Sequence, residues 1–307
     1  MQDREAIQAT LVKSSHTLGH SLASSHMSLS TLPTSEAISV VIPTLNEAAN
    51  IGHLLVRLHQ VLTEAAISYE VIVVDDHSMD DTIAVARAIA KDKGLPVQVL
   101  IKQGLPGKSY SLIEGFTAAQ FDVLAMIDGD LQYPPEALPI MIRATEHSDI
   151  IIADRRTTYQ GTHHARGRLS HVFTSIITML FGIDTDIQSG LKVFRRAIYD
   201  NGARSCSGKW NLDLHLVTYA AFHGHTIANV PIEFQKRQAG KSKVIPLKVG
   251  LELLHTALQL KVSRMARVIL ERDVSRVGNT RMPNEEIAPA ISQAFSSEDI
   301  ELETTRL

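Results

Sequence analysis

A doubly wound α/β sheet is the fold class this sequence predicts, on three observations. Short, β-branched, nearly continuous apolar runs occur at Ile38–Ile42, Glu70–Val74, Val97–Ile101, Val123–Ile127 and Asp149–Ala153, the pattern of parallel strands covered on both faces. Between them lie segments of helical spacing, such as Ile51, Leu54, Leu55, Leu58 and Leu62, and each run gives way to polar or charged residues at its end. Strand alternating with helix in this way makes a mostly parallel central sheet with helices on both faces.

The remainder of the 307 residues brackets that core. Residues 1–36 are rich in Ser, Thr and His without a sustained period, and are expected to be a disordered extension. The core domain is expected over 37–245, followed by an amphipathic helix over 246–273. An acidic, disordered tail is expected over 274–307, with Glu285, Glu286, Glu298, Asp299, Glu301 and Glu303. A net charge of −3 provides no basic field for nucleic acid. A single cysteine, Cys206, excludes an intrachain disulfide and a Cys-based zinc site. No apolar stretch reaches the length of a membrane span, so the expectation is a cytoplasmic protein that lies on a membrane at most.

In an open α/β sheet ligands bind beyond the carboxyl ends of the strands, where loops and helix N-termini converge. The first run leads into Pro43-Thr44-Leu45-Asn46-Glu47, the second into Asp75-Asp76-His77-Ser78, and the third into Gly104-Leu105-Pro106-Gly107-Lys108-Ser109. The fourth ends in Asp128-Gly129-Asp130-Leu131-Gln132 and the fifth in Asp154-Arg155-Arg156. Two carboxylates separated by one glycine repel each other unless a cation sits between them. Asp128, Asp130 and the Gln132 carbonyl form an oxygen-only set suited to Mg²⁺ or Mn²⁺; the other reading is a solvated acidic loop in which Asp128 caps a helix. Lys108 could meet a phosphate at a helix N-terminus, although Lys102 stands where a phosphate-binding GxxxxGK[ST] loop needs glycine.

Taken together, VVIPTLNEAANI (40–51), VIVVDDHSMDDT (71–82), MIDGDLQYPPEAL (126–138), DIIIADRR (149–156), RGRLS (166–170), DIQSGLKVFRR (186–196) and VPIEFQKRQAGKSKV (230–244) resemble the successive blocks of the family 2 glycosyltransferases of GT-A fold. The group they are most similar to is the polyprenyl-phosphate glycosyltransferases, which include the dolichyl-phosphate mannose and glucose synthases. The resemblance implies a metal-dependent, inverting transfer of a sugar from a nucleotide-sugar of GDP-mannose or UDP-glucose type to a polyprenyl or dolichyl phosphate. It implies that Pro43, Thr44, Glu47 and Asp75 hold base and ribose, and that Asp128 lines the nucleotide pocket and helps place the metal, with Asp130 and Gln132 as metal ligands. It further implies that Arg155, Arg166, Ser170, Arg237 and Lys243 meet the donor diphosphate and acceptor phosphate. Lys108 is placed on the nucleotide-sugar side by its position after the third run, the other reading being a turn rich in Gly and Pro.

Three departures bear on activity. Lys108-Ser109-Tyr110-Ser111 stands where the family has Gly-Lys-Gly-x-Ala, and Ala153-Asp154-Arg155 stands where it has Gly-Ser-Arg, adding a carboxylate beside the phosphates. KWNLDLHL (209–216) keeps Asp213 but has His215 where Glu is usual. Two other functions stay open. A family 2 transferase acting on a saccharide or other hydroxyl acceptor would need a general base, for which Asp213 is the candidate; a non-catalytic relative would bind a nucleotide without turnover. A processive polysaccharide synthase is disfavoured, since Trp210 follows Lys209 where Gln-x-x-Arg-Trp needs Arg, and no apolar stretch has the length of a membrane span.

A lipid acceptor implies a membrane partner. Val172–Ile183 has the length of an interfacial or buried helix. Over 231–270 eight Lys or Arg residues stand against two Glu, a local +6, with Leu247, Leu251, Leu254, Leu258 and Val262 at helical spacing. That combination suits an anionic lipid surface or a membrane-anchoring subunit, and suits equally a helix packing its stripe on the domain. His163-His164 reads as polar surface.

Overall fold

The computed structural model describes residues 37–156, 176–204, 206–235 and 246–277. The chain falls into two compact units divided between Leu253 and Leu254; the sheet and the cleft belong to the first. Strands β1 (Ile38–Thr44), β2 (Tyr69–Asp75), β3 (Val97–Ile101), β4 (Val123–Met126), β5 (Ile150–Asp154), β6 (Lys192–Arg195) and β7 (Ile227–Pro231) form one sheet in the order β3-β2-β1-β4-β6-β5-β7. Every pairing is parallel except those of β6, which runs antiparallel to both β4 and β5. The α/β expectation holds, with two strands more than the apolar runs indicated.

Among the described residues the helices with defined bounds are α1 (Ala48–Glu64), α2 (Thr82–Lys93), α3 (Lys108–Ala118), α4 (Leu138–Arg143), α5 (Arg196–Gly202), α6 (Leu212–Phe222) and α7 (Pro246–Val277). Alternate strand residues point to opposite faces, and in β1 and β2 both sets are buried, as in a sheet covered on both sides. The set containing Val40, Ile42, Val71 and Val73 shares a core with Ile51, Leu54, Leu55, Leu58 and Leu62, the apolar stripe expected of α1. On the other face α3 sits so close that a Cβ at Gly115 would overlap Val41, and Phe116 packs edge-on against Phe194 of β6. β3 departs from the expectation of two covered faces: it is an edge strand, partly exposed along its length.

The strand order reverses between β1 and β4, because the chain lays β2 and β3 on one side of β1 and then returns to place β4 on the other. Loops leaving their carboxyl ends diverge there and open a crevice. Because β6 is antiparallel, it begins where β4 and β5 end, pairing Lys192 with Met126 and Ile152. Residues 186–192 therefore arrive at the same rim.

Candidate active site

The rim holds a cleft of about 300 Å³ lined by Pro43, Thr44, Leu45, Glu47, Asp76, Pro106, Gly107, Lys108, Ser111, Asp128, Gly129, Asp130, Lys209 and Trp210. Its floor is the switch point between β1 and β4. Three of the four non-glycine residues of positive φ among the described residues lie at this rim: Asn46 (51°) after β1, His77 (58°) after β2 and Leu131 (61°) after β4. Such backbone costs on the order of 1–3 kcal/mol per residue and persists where the surroundings over-determine it.

Those surroundings are visible in the first two loops. The Asn46 amide donates to Ser78 Oγ (2.7 Å), the Met79 amide to Asn46 Oδ1 (2.7 Å), the Glu47 amide to Thr82 Oγ1 (2.8 Å), and the Ala48 amide to Asp80 Oδ2 (3.1 Å). The N-terminus of α1 is thus capped from the neighbouring loop rather than by its own N-cap. Asp75 is the knot of this arrangement. Fully buried, it accepts from Thr44 Oγ1 (3.1 Å), Ser78 Oγ (2.6 Å) and the Ser78 amide (2.8 Å). Asp75, expected to help hold base and ribose, braces the loop with its carboxylate and is absent from the cleft lining, where Asp76 stands. Glu47 lies in the cleft wall with Asn50 Nδ2 donating to its carboxylate (2.8 Å).

Lys102, the residue that spoils a phosphate-loop motif, is fully buried and ion-paired with Asp76. It also donates to the Gly107 carbonyl (3.2 Å), while the Gly107 amide donates to Asp76 (2.9 Å). Gly107 needs its φ of 142°, and a Cβ there would come within 2.8 Å of Lys209. This bracing fixes the start of α3 and sets Lys108 in its first turn. The unusual Ser109 and Tyr110 also find their use: Ser109 Oγ accepts from the Leu212 amide (3.1 Å), and Tyr110 Oη accepts from the Gly208 amide (3.0 Å). They tie α3 to the loop carrying Lys209 and Trp210, two lining residues that motif reasoning missed.

Charges at the rim alternate. Lys108 Nζ lies 2.6 Å from Asp128 Oδ1. Burial would lower the Lys108 ammonium's pKa, but Asp128, Asp213 and Asp130 together hold it above its ordinary value. Asp213 is paired with Lys192, which is fully buried and pulled down by that burial. Asp186 accepts both Nε (2.6 Å) and Nη2 (2.8 Å) of Arg155. Burial acts to raise the Asp186 carboxyl, yet Arg155 holds it below the usual carboxylate range. Arg155 also lies over the rings of Phe234 (5.3 Å) and Tyr133 (5.8 Å), and it is absent from the cleft lining. In this state it is turned to Asp186 rather than into the cleft. The extra carboxylate at Asp154 is not left bare: it is bound by Arg156 (2.7 Å), which also reaches Asp184.

The Asp128–Asp130 turn is packed from below by Gly190, where a Cβ would overlap the Asp128 carboxylate. The Gly190 amide donates to Tyr133 Oη (2.6 Å). Gln132, expected as a metal ligand, is engaged with Gln235 and is absent from the cleft lining. Its carbonyl accepts from the Gln235 amide (2.9 Å), and its side chain donates to the Gln235 carbonyl (3.2 Å). It fastens the turn to the segment leading into 236–245. Among the described residues no three His, Cys, Asp or Glu side chains gather to hold a metal. Asp128 and Asp130 nevertheless suit Mg²⁺ or Mn²⁺, since such ions take one or two carboxylates and complete their shell with phosphate oxygens and water. A cation already sits on Asp128, in the form of Lys108. Arg166, Ser170, Arg237 and Lys243, with His163 and His164, lie outside the described residues.

Residues 39–202 match the family model described as glycosyl transferase family 2. The chain belongs to that family. Among curated relatives, it is 40% identical over 119 residues to a dolichol-phosphate mannosyltransferase of Pyrococcus furiosus, covering 38% of this chain and 33% of that one. It is 26% identical over 212 residues to an undecaprenyl-phosphate 4-deoxy-4-formamido-L-arabinose transferase of Pseudomonas fluorescens, covering 69% and 61%. The chain thus spans from a third to about three fifths of the length of these relatives. Its fold is that of glucosyl-3-phosphoglycerate synthase from Mycobacterium tuberculosis, solved with Mn²⁺, UDP and glucosyl-3-phosphoglycerate, at a TM-score of 0.58 and 20% identity over 74% of this chain and 80% of that one.

Proposed function

We propose that this chain transfers a sugar from a nucleotide-sugar, of GDP-mannose or UDP-glucose type, to a polyprenyl phosphate, with Mg²⁺ or Mn²⁺ and inversion at the anomeric carbon. The observation that carries the reading is the pairing of Asp213 with the buried Lys192. A hydroxyl acceptor needs a base to take its proton, and Asp213 was the candidate. The Asp213 carboxylate is already engaged by the Lys192 ammonium, and giving it a proton would strip that buried cation of its partner. A phosphate acceptor is already anionic near neutral pH and needs none. The two curated relatives, each named for a polyprenyl-phosphate or dolichol-phosphate acceptor, support the same choice.

On this reading one acceptor phosphate oxygen attacks the anomeric carbon from the face opposite the diphosphate. The carbon–oxygen bond to the diphosphate breaks, and the nucleoside diphosphate departs with the electron pair. Pro43, Thr44 and Glu47 orient the nucleoside end, and the N-terminus of α3 with Lys108 faces the diphosphate. Asp128 and Asp130 would hold the divalent ion, which would supply charge stabilisation to the leaving group. Arg155, Arg166, Ser170, Arg237 and Lys243 serve the phosphates, Arg155 after release from Asp186.

The acceptor requires contact with a lipid surface. No helix among the described residues is long and apolar enough to cross a membrane. On α7, Leu251, Leu258, Val262 and Met265 are all exposed, between 47% and 65%. Their spacing of seven, four and three residues puts them on one face of the helix. An outward apolar stripe among basic residues supports peripheral binding.

The test is transfer with Mn²⁺ or Mg²⁺, a panel of GDP- and UDP-sugars and a short polyprenyl phosphate, read by mass spectrometry. A metal-dependent glycolipid absent in Asp130→Asn is the expected result. Nucleotide binding with no glycolipid from any donor would overturn the reading.

A further inference from the structure

Resting on the metal and diphosphate reading above, we infer that Lys108 is a built-in counter-ion that exchanges. It neutralises the Asp128–Asp130 pair when no divalent cation is bound, and passes to the nucleotide's diphosphate when a cation takes its place. Metal and nucleotide then bind cooperatively, each raising the affinity for the other.

Four observations support the exchange. Two carboxylates flank one glycine in the cleft wall, and the cation that meets them is Lys108, at 2.6 Å from Asp128. A divalent ion on Asp128 and an ammonium at the same oxygen repel each other, so the two are alternatives. The Lys108 backbone is fixed on both sides, by the Lys102–Gly107 bond (3.2 Å) and by the Ser109 amide donating to the Lys209 carbonyl (2.9 Å). Only its flexible stem can move, and the stem is rooted in the first turn of α3, where a diphosphate would meet the helix N-terminus. Departure of the ammonium also strands no buried charge. Asp213, which attracts Lys108, retains its own partner in Lys192.

Reciprocal linkage makes the coupling measurable without turnover. Mn²⁺ binding is followed by electron paramagnetic resonance of the free ion, in the absence of nucleotide and with saturating GDP or UDP. In wild type, nucleotide should raise Mn²⁺ affinity about tenfold or more. Lys108→Met should bind Mn²⁺ about tenfold more tightly than wild type without nucleotide, and gain correspondingly less when nucleotide is added. Lys108→Arg, which keeps the charge, should stay within about twofold of wild type without nucleotide. Unchanged or weaker Mn²⁺ binding by folded Lys108→Met, or full retention of the nucleotide effect, overturns the exchange. A shift in Lys108→Arg as large as in Lys108→Met overturns it as well, since charge would not be the cause. The control separates this from the reading beneath it. If wild type binds no Mn²⁺ in a manner lost in Asp130→Asn, the metal reading itself fails and the exchange falls with it.

Discussion

The two halves of the rim solve the same problem, holding polar groups at the end of a sheet, in opposite ways. On the β1–β2–β4 side the loops are braced by hydrogen bonds, from backbone amides where Asn46 meets Ser78 and Met79, and from side-chain hydroxyls where Thr44 and Ser78 meet Asp75. Strain in Asn46, His77 and Leu131 is held there, and Thr44, Glu47, Asp128 and Asp130 line an open cleft. On the β5–β6–β7 side charge is cancelled by charge: Arg155 with Asp186, Arg156 with Asp154 and Asp184, Lys192 with Asp213. The first half also pairs charges, Lys102 with Asp76 and Lys108 with Asp128. There, however, Asp76, Lys108 and Asp128 line the open cleft, whereas none of the second half's paired groups does.

Breaking the paired half should have the largest effect. Asp213→Ala leaves Lys192 buried and uncompensated, which costs about 3–5 kcal/mol; urea unfolding should show it, and replacing both partners by Met and Leu should restore much of the loss. A loss below about 1 kcal/mol would mean that the pair is not buried as described. In the receiving half, Asp130→Asn should leave stability nearly unchanged and cut turnover on the order of a hundredfold or more, measured at saturating donor.

Gly190→Ala tests whether the two halves touch. Its Cβ must push the Asp128 carboxylate aside, so Mn²⁺ or nucleotide affinity should fall about tenfold, in the range found when a supporting neighbour of a metal ligand is lost; isothermal titration would measure it. The smallest expected effect is that of Tyr110→Phe. Removing the bond to the Gly208 amide costs about 1 kcal/mol, so KM for the donor should rise about fivefold while kcat stays nearly constant. An equal fall in kcat would instead give the Trp210 loop a role in the transition state.

The same contrast separates what the sequence made legible from what it did not. β1, β2, β4 and β5 announce themselves as apolar runs because both of their faces are buried. β6 begins with a buried lysine and ends in arginine, and β7 is an edge strand ending in Pro231, so neither carries that signature. Thr44, Glu47, Lys108, Asp128 and Asp130 were readable from the rule that ligands meet strand ends. Asp75 and Gln132 follow the same rule in sequence, yet the first shapes its loop and the second fastens Gln235. The pairs are illegible for a plain reason. Arg155 and Asp186 are 31 residues apart, Lys192 and Asp213 are 21, and only the antiparallel placement of β6 brings them together.

The most direct measurement compares two acceptors that differ in one group: a short polyprenyl phosphate and the same polyprenol without phosphate, with one accepted nucleotide-sugar and Mn²⁺, read by mass spectrometry. The account predicts glycolipid from the phosphate and none from the alcohol, because Asp213 is paired with Lys192 and the phosphate needs no base. Transfer to the alcohol at a comparable rate would contradict it, since a free general base would then be at work in the cleft.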